Sequence, residues 1–293
     1  MVEMVIEARR RSLGGFDVGR VLPFAARRMV GPFVFFDHMG PLTLPAPVPR
    51  ETDVRPHPHI GLATVTYLFD GEIMHRDSTG AAQAIRPGEV NWMTAGRGVT
   101  HSERFDGMRA KGGAVHGVQA WVALPREQEE AAPAFDHYSA DAAPRFEAEG
   151  VSGRVIAGEA YGIKSPVKTL SPLFYAHADL LPGARLAAPG GASERAAYIV
   201  RGQVACDGQS HGAGRMLIFG AGEAPVLTAE TAALVLLIGG EPLGERFLFW
   251  NFVASSKERL EAAKADWRAG RFALPPGDDQ EFIPLPADTP GGQ

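Results

Sequence analysis

Two histidines one residue apart, His57 and His59, open a run that continues Ile60-Gly-Leu-Ala63-Thr-Val65-Thr-Tyr67-Leu-Phe69. On a strand, side chains two apart point the same way. His57 and His59 are therefore expected to share a face with Gly61, Ala63, Val65, Tyr67 and Phe69, apolar except for the imidazoles and one phenol. Two imidazoles at the mouth of such a face suggest a metal site inside a β-barrel. A second pair follows in Gly96-Arg-Gly98-Val-Thr-His101-Ser-Glu103, where His101 and Glu103 again have strand spacing. Three imidazoles and a carboxylate suit Fe, Mn, Ni, Zn or Cu, so the donors alone do not choose the metal. They would close a tetrahedral zinc site; on an octahedral ion they leave two positions open for oxygen or a chelating substrate. The alternative reading is that all four are surface polar residues on loops.

Around this set, Val65, Tyr67 and Phe69 are expected either to wall a substrate pocket or, as inward residues, to be plain core, and Trp92 either lines the pocket or lies outside. His75, near a turn, is expected either to hydrogen-bond behind a ligand or to be a solvated surface residue. His38 is read as a fifth residue of the metal region or a local hydrogen-bonding group. Arg55, Arg97 and Arg104 flank the ligands and could attract an anionic substrate, or serve as surface charges or loop braces. His116, His137, His177 and His211 are not read as parts of a ligand pair and are expected to be structural or exposed. There is no Ser/His/Asp pattern, phosphate loop or C-x-x-C pair.

The elements that must position these residues are short strands. The 293 residues include 35 glycines and 23 prolines, a composition that favours many turns over a helical bundle. Asp70-Gly71 reads as a hairpin turn and Gly14-Gly15 as another. The second half is a degenerate copy of the first. Tyr67-Leu-Phe-Asp-Gly71 matches Tyr198-Ile-Val-Arg-Gly202, and Pro87-Gly88 through Gly96 matches Ala213-Gly214 through Gly222. Carried through this alignment, the four ligand positions fall on Ala188, Gly190, Leu227 and Ala229, none of which can bind a metal. The fold class expected is all-β: two similar β-barrels, one metallated and one not, with a short C-terminal helix. The divisions are a metal-binding domain over 1–125, a surface crossover over 126–150, and a second barrel with helix and tail over 151–293. Ser255 and Glu258 read as a capping box, starting a helix that runs through Leu260, Ala263, Lys264 and Trp267 to Gly270. The tail from Leu274 is expected to be extended, its last few residues loose.

The formal net charge is −5 and no basic run stands out, which argues against a direct grip on nucleic acid. One cysteine, Cys206, excludes an intrachain disulfide. The N-terminus lacks the basic start and apolar core of a signal peptide, and no apolar run reaches the length of a membrane span. A soluble cytoplasmic protein is expected.

The strings His57-Pro-His59-Ile-Gly, Pro87-Gly88-Glu-Val-Asn-Trp92-Met93-Thr-Ala-Gly96-Arg97-Gly98 and His101-Ser-Glu103 together resemble the pirins, a branch of the cupin superfamily. Phe249-Trp250-Asn-Phe-Val-Ala-Ser-Ser256 is similar to the pirin C-terminal region. The resemblance covers most of the chain and is strongest over 31–125. It implies a bicupin with Fe(2+) in the N-terminal barrel, held by His57, His59, His101 and Glu103, with other divalent transition metals as alternatives. It also implies a dioxygenase of quercetinase type acting on a flavonol or related aromatic with O2; in such a reaction the chemistry of the donor set would let Glu103 take the substrate proton. For some members it implies a non-enzymatic, metal-responsive regulator acting through a protein partner. It leans towards a monomer. Many cupins carry a Glu ligand four residues after the second His; here that position is Ala63, and Glu103 would supply the carboxylate, as in the pirin pattern.

Overall fold

A computed structural model describes residues 1–222 and 224–287. The chain is nearly all β, with one α-helix among the described residues, Lys257–Arg268. Two domains of cupin type each place a large sheet against a small one. In the first, a seven-stranded sheet is built on Leu62–Asp70, Val90–Thr94, Gly113–Ala123 and Phe33–Leu44; a four-stranded sheet contains Val54–His59, Val99–Arg104, Ile73–Asp77 and Ala82–Ile85. In the second, an eight-stranded sheet faces a four-stranded one. The sheets curl towards each other without closing.

Alternation along each strand divides the core into layers. Val65, Tyr67, Trp92, Val118 and Ala120 of the first large sheet pack against Tyr175, Tyr198, Met216, Ile218 and Leu236 of the second. The two domains are therefore joined large sheet to large sheet by one apolar core. The opposite faces fill the domain interiors: Leu68, Ile73, Ile85 and Phe105 in one cluster of the first domain, Leu186, Val204, Leu217 and Leu227 in the second.

Several elements depart from the local reading. His57 to Phe69 is not one strand. Val54–His59 belongs to the small sheet and Leu62–Asp70 to the large one. The chain changes sheets at Gly61, whose φ is +67°. Asp70-Gly71 likewise is an arch and not a hairpin, because Ile73–Asp77 pairs with Val99–Arg104 and not with Leu62–Asp70. The Gly14-Gly15 turn does join two paired strands, Arg9–Ser12 and Asp17–Leu22. The first strand, however, Val2–Glu7, pairs with Arg215–Phe219 of the second domain. The 126–150 crossover contains two edge strands: Ala134–Tyr138 pairs with Val90–Thr94 of the first domain, and Arg145–Ala148 with the strand Val151–Ala160 of the second.

The C-terminal helix forms as expected, but its cap is Ser256, whose side chain accepts from the Arg259 amide. Ser255 instead donates through both its amide and its hydroxyl to the Glu129 carboxylate. Beyond the helix an irregular tail crosses the small sheet of the first domain, where the Ile283 amide donates to the Pro56 carbonyl. The expected looseness of the last residues concerns positions outside the described ones.

Candidate metal centre

Three strands of the small sheet of the first domain bring the ionisable residues together. His101 lies opposite His57 on one side and opposite Asp77 on the other; Glu103 lies opposite His75. A bulge between His101 and Glu103 re-aims the carboxylate, as bulges do. His57, His59 and His101 are buried, and each offers a nitrogen within 4.8 Å of the others. The Nε2 atoms of His59 and His101 stand 3.1 Å apart. Glu103 carboxylate oxygens lie 4.0 Å from His57 Nε2 and 3.8 Å from His101 Nε2.

The second ring nitrogen of each histidine explains the convergence. His57 Nδ1 donates to the Arg55 carbonyl at 2.9 Å, and His59 Nδ1 to the Asn251 carbonyl at 3.1 Å. A carbonyl only accepts, so the proton of each neutral ring sits on Nδ1 and Nε2 presents a bare lone pair. His101 Nδ1 lies 3.3 Å from His75 Nδ1, and His75 Nε2 lies 2.8 Å from Asp77 Oδ2.

The electrostatics follow from burial. Desolvation lowers His57 to about 4 and holds His59 and His101 well below the usual imidazole range, assisted by repulsion among the histidines. Desolvation pushes Glu103 up to about 8, against the opposing charge of Arg104. Glu103 Oε2 has no hydrogen-bond partner in its buried position. Two lone pairs facing each other and an orphaned carboxylate oxygen are costly alone and are satisfied together by one cation. Two nitrogens each about 2.1 Å from a shared ion would be about 3 Å apart at a right angle, close to the separation seen. The residues therefore fit a divalent metal.

The site opens into a cavity of about 410 Å³ lined by His57, His59 and Glu103. Its aromatic wall is Phe35 stacked on Trp121, with centroids 3.9 Å apart; Trp121 also meets His59 edge-on at 5.0 Å. Arg20 lies over Phe35 and makes a two-pronged bond to the buried Asp37. Gln119, held by the Thr66 hydroxyl, adds a polar group, and Arg9 and Arg11 reach the rim.

None of the expected pocket residues lines this cavity. Val65, Tyr67 and Trp92 lie in the interdomain core, and Phe69 packs against it. The switch of sheets at Gly61 breaks the parity that linked them to the histidines, so even-numbered residues of Leu62–Asp70 face inward. His75 is also outside the cavity, but it is buried behind His101 and stacked on Phe135 at 4.4 Å. His38 lies outside the metal region and hydrogen-bonds instead: its Nε2 is 2.8 Å from His116 Nε2 on the neighbouring strand, and its Nδ1 is 2.8 Å from the Tyr198 hydroxyl, across the domain interface. Arg104 is buried against Asp278, Glu281 and Asp53, where it pins the tail. Arg55 stands 3.9 Å from Glu281, and Arg97 is exposed with its carbonyl accepting from Arg259. The wall residues Phe35, Asp37, Gln119 and Trp121 were missed; each pair has strand spacing, but that spacing does not say which face is inside. In the second domain Ala188, Leu227 and Ala229 are buried in an apolar cluster, and the described residues contain no second His/Cys/Asp/Glu group of this kind.

Two sheet-paired domains and a buried three-histidine cluster define a two-domain cupin with a candidate metal centre in its first half. Residues 15–122 match the Pirin family model and residues 175–273 the model for the Pirin C-terminal cupin domain. A pirin-like protein of Caulobacter vibrioides is 57% identical over 98% of this chain and 100% of its own length. One of Solanum lycopersicum is 32% identical, covering 92% of each. The crystal structure of quercetin 2,3-dioxygenase from Acinetobacter baumannii superposes with a TM-score of 0.89 at 33% identity, covering 99% of this chain and 96% of that one. The chain belongs to the pirin family.

Proposed function

We propose that this protein is an Fe(2+)-dependent dioxygenase of quercetinase type, cleaving a ring of a flavonol or related aromatic. The observation that carries the reading is the set of bare Nε2 atoms and the unpartnered Glu103 oxygen opening into an aromatic-walled cavity. The likeness to a structure named quercetin 2,3-dioxygenase supports the same class of substrate. His57, His59, His101 and Glu103 would hold the ion. When bound, iron supplies a Lewis acid for a phenolic oxygen and a redox centre for O2.

The residues of the chain do the rest. The Phe35–Trp121 pair offers a flat face for a substrate ring, and Arg20, fixed by Asp37, holds Phe35 in place. Glu103 would accept the proton of the substrate hydroxyl at a carboxylate oxygen it does not lend to the ion, in a buried place where desolvation favours the protonated form. Arg9 and Arg11 at the rim favour an anionic phenolate. A dioxygenase puts both oxygen atoms into its product, so no further reductant or partner is required.

The test is oxygen uptake by the Fe(2+)-loaded protein with quercetin, alongside His57→Ala and Glu103→Gln. Turnover that needs the metal and is lost in both variants supports the reading. A fully loaded protein that consumes no oxygen would turn it towards another substrate, or towards the regulatory role.

A further inference from the structure

The three histidines are not oriented in the same way. His57 and His59 donate to backbone carbonyls, which leave no choice of tautomer. His101 Nδ1 instead faces another imidazole nitrogen, His75 Nδ1, which can either give or take a proton. Something beyond His75 must decide, and the group behind it is Asp77. Asp77 is wholly buried. Its Oδ1 accepts three hydrogen bonds, from the Thr79 amide at 2.8 Å, the Thr79 hydroxyl at 2.6 Å and the Ala81 amide at 3.3 Å. This leaves Oδ2 for His75 Nε2, at 2.8 Å.

We propose that Asp77 and His75 are positioning residues which fix the tautomer of His101 and so make its Nε2 available to a metal ion. With both imidazoles neutral, the ionised Asp77 can only accept, so His75 carries its proton on Nε2. His75 Nδ1 is then an acceptor 3.3 Å from His101 Nδ1, which draws the His101 proton there, against the competing His59 Nε2 at 3.1 Å, and leaves His101 Nε2 bare. No group changes charge; the chain sets only the direction of two hydrogen bonds. Partners behind a ligating histidine commonly act in this way. The inference rests on the metal reading above, but not on the identity of the substrate.

Asp77→Asn tests it by exchanging one oxygen for an NH₂. The three donors at Oδ1 require the amide oxygen on their side, so the NH₂ faces His75. The chain then reverses: His75 accepts at Nε2 and donates from Nδ1, and His101 must carry its proton on Nε2, where the metal bond would form. The full-length metal-free chain, with ¹⁵N-labelled histidine at pH 8, is examined by long-range ¹H–¹⁵N NMR. His101 is expected to be protonated on Nδ1 in the wild type and on Nε2 in Asp77→Asn. In chelator competition with Zn(II), a redox-silent probe, Asp77→Asn is expected to bind about 10–100-fold more weakly. Thr79→Ala, which removes one bond to Asp77 and keeps the carboxylate, is expected to lower thermal stability while binding Zn(II) within about twofold of wild type. His75→Phe preserves the stack on Phe135, removes the acceptor, and should also weaken Zn(II) binding if Asp77→Asn does not fold. Wild-type-like binding and an unchanged His101 tautomer in Asp77→Asn would overturn the proposal. A wild-type protein that does not bind Zn(II) would instead count against the metal reading, while the NMR result still decides the tautomer.

Discussion

Burial makes each ionisable residue of the centre reluctant to carry charge, and the consequences for pH have opposite signs. In the metal-free protein the His57 imidazole is lowered from 6.5 to about 4. Between those values the unfolded chain takes up a proton that the folded one refuses, so this group makes the protein less stable as pH falls below about 6.5. The Glu103 carboxyl is raised from 4.5 to about 8. The folded protein keeps a proton there that the unfolded chain has released, so its contribution is fully present below 4.5 and is lost as pH rises to about 8. A metal ion must displace that same proton. Affinity is therefore expected to rise by about tenfold per pH unit between roughly 6.5 and 8. In Glu103→Gln, which has no proton to release, the slope should flatten; metal titrations across that range measure it. At this scale the sequence was informative, because ligand types at two-residue spacing survive whatever the sheets do. The partners of His57 and His59 were not legible, since backbone carbonyls carry no residue signature and Asn251 lies 192 positions from His59.

The strands place those residues, and here local signals were weaker. A His-to-Phe run of alternating β-formers looks like one strand, yet it changes sheets at Gly61. An L side chain there would be strained at φ +67°, and its Cβ would lie 2.0 Å from the Val253 carbonyl oxygen. Gly61→Ala is accordingly expected to cost at least about 2 kcal/mol in denaturant unfolding. It should also weaken metal binding, because Val253 is two residues from the carbonyl that orients His59. Asp70-Gly71 was misread for a related reason: a glycine turn looks the same whether the next strand returns beside the last or crosses to the facing sheet. The capping box was displaced by one residue because Glu129, distant in sequence, holds Ser255. Ser256→Ala should cost about 1 kcal/mol through loss of the helix cap, while Ser255→Ala should leave the helix start intact; circular dichroism melts of the two variants distinguish them.

Across the whole molecule, the two domains share one core, and the first strand of the chain completes the edge of the second domain's large sheet. The internal repeat made two similar β domains legible, together with the lack of ligands in the second half, and the pirin-like strings identified them as cupins. The pairing of Val2–Glu7 with Arg215–Phe219 was not, because a short edge strand carries no mark of a partner some two hundred residues away. Ile6 on that strand is fully buried in the core between the domains. Ile6→Ala should therefore destabilise the protein by about 2–5 kcal/mol, lowering one shared unfolding transition rather than that of the first domain alone. No helix of the described residues is long and apolar enough to cross a membrane. One half of this bicupin is expected to hold a metal on three imidazoles and a carboxylate and the other half none. Anaerobic titration of the metal-free chain with Fe(2+), beside His101→Ala, tests it most directly. One tight equivalent per chain is expected in the wild type and none in the variant; two equivalents, or one that survives the loss of His101, would place the ion elsewhere.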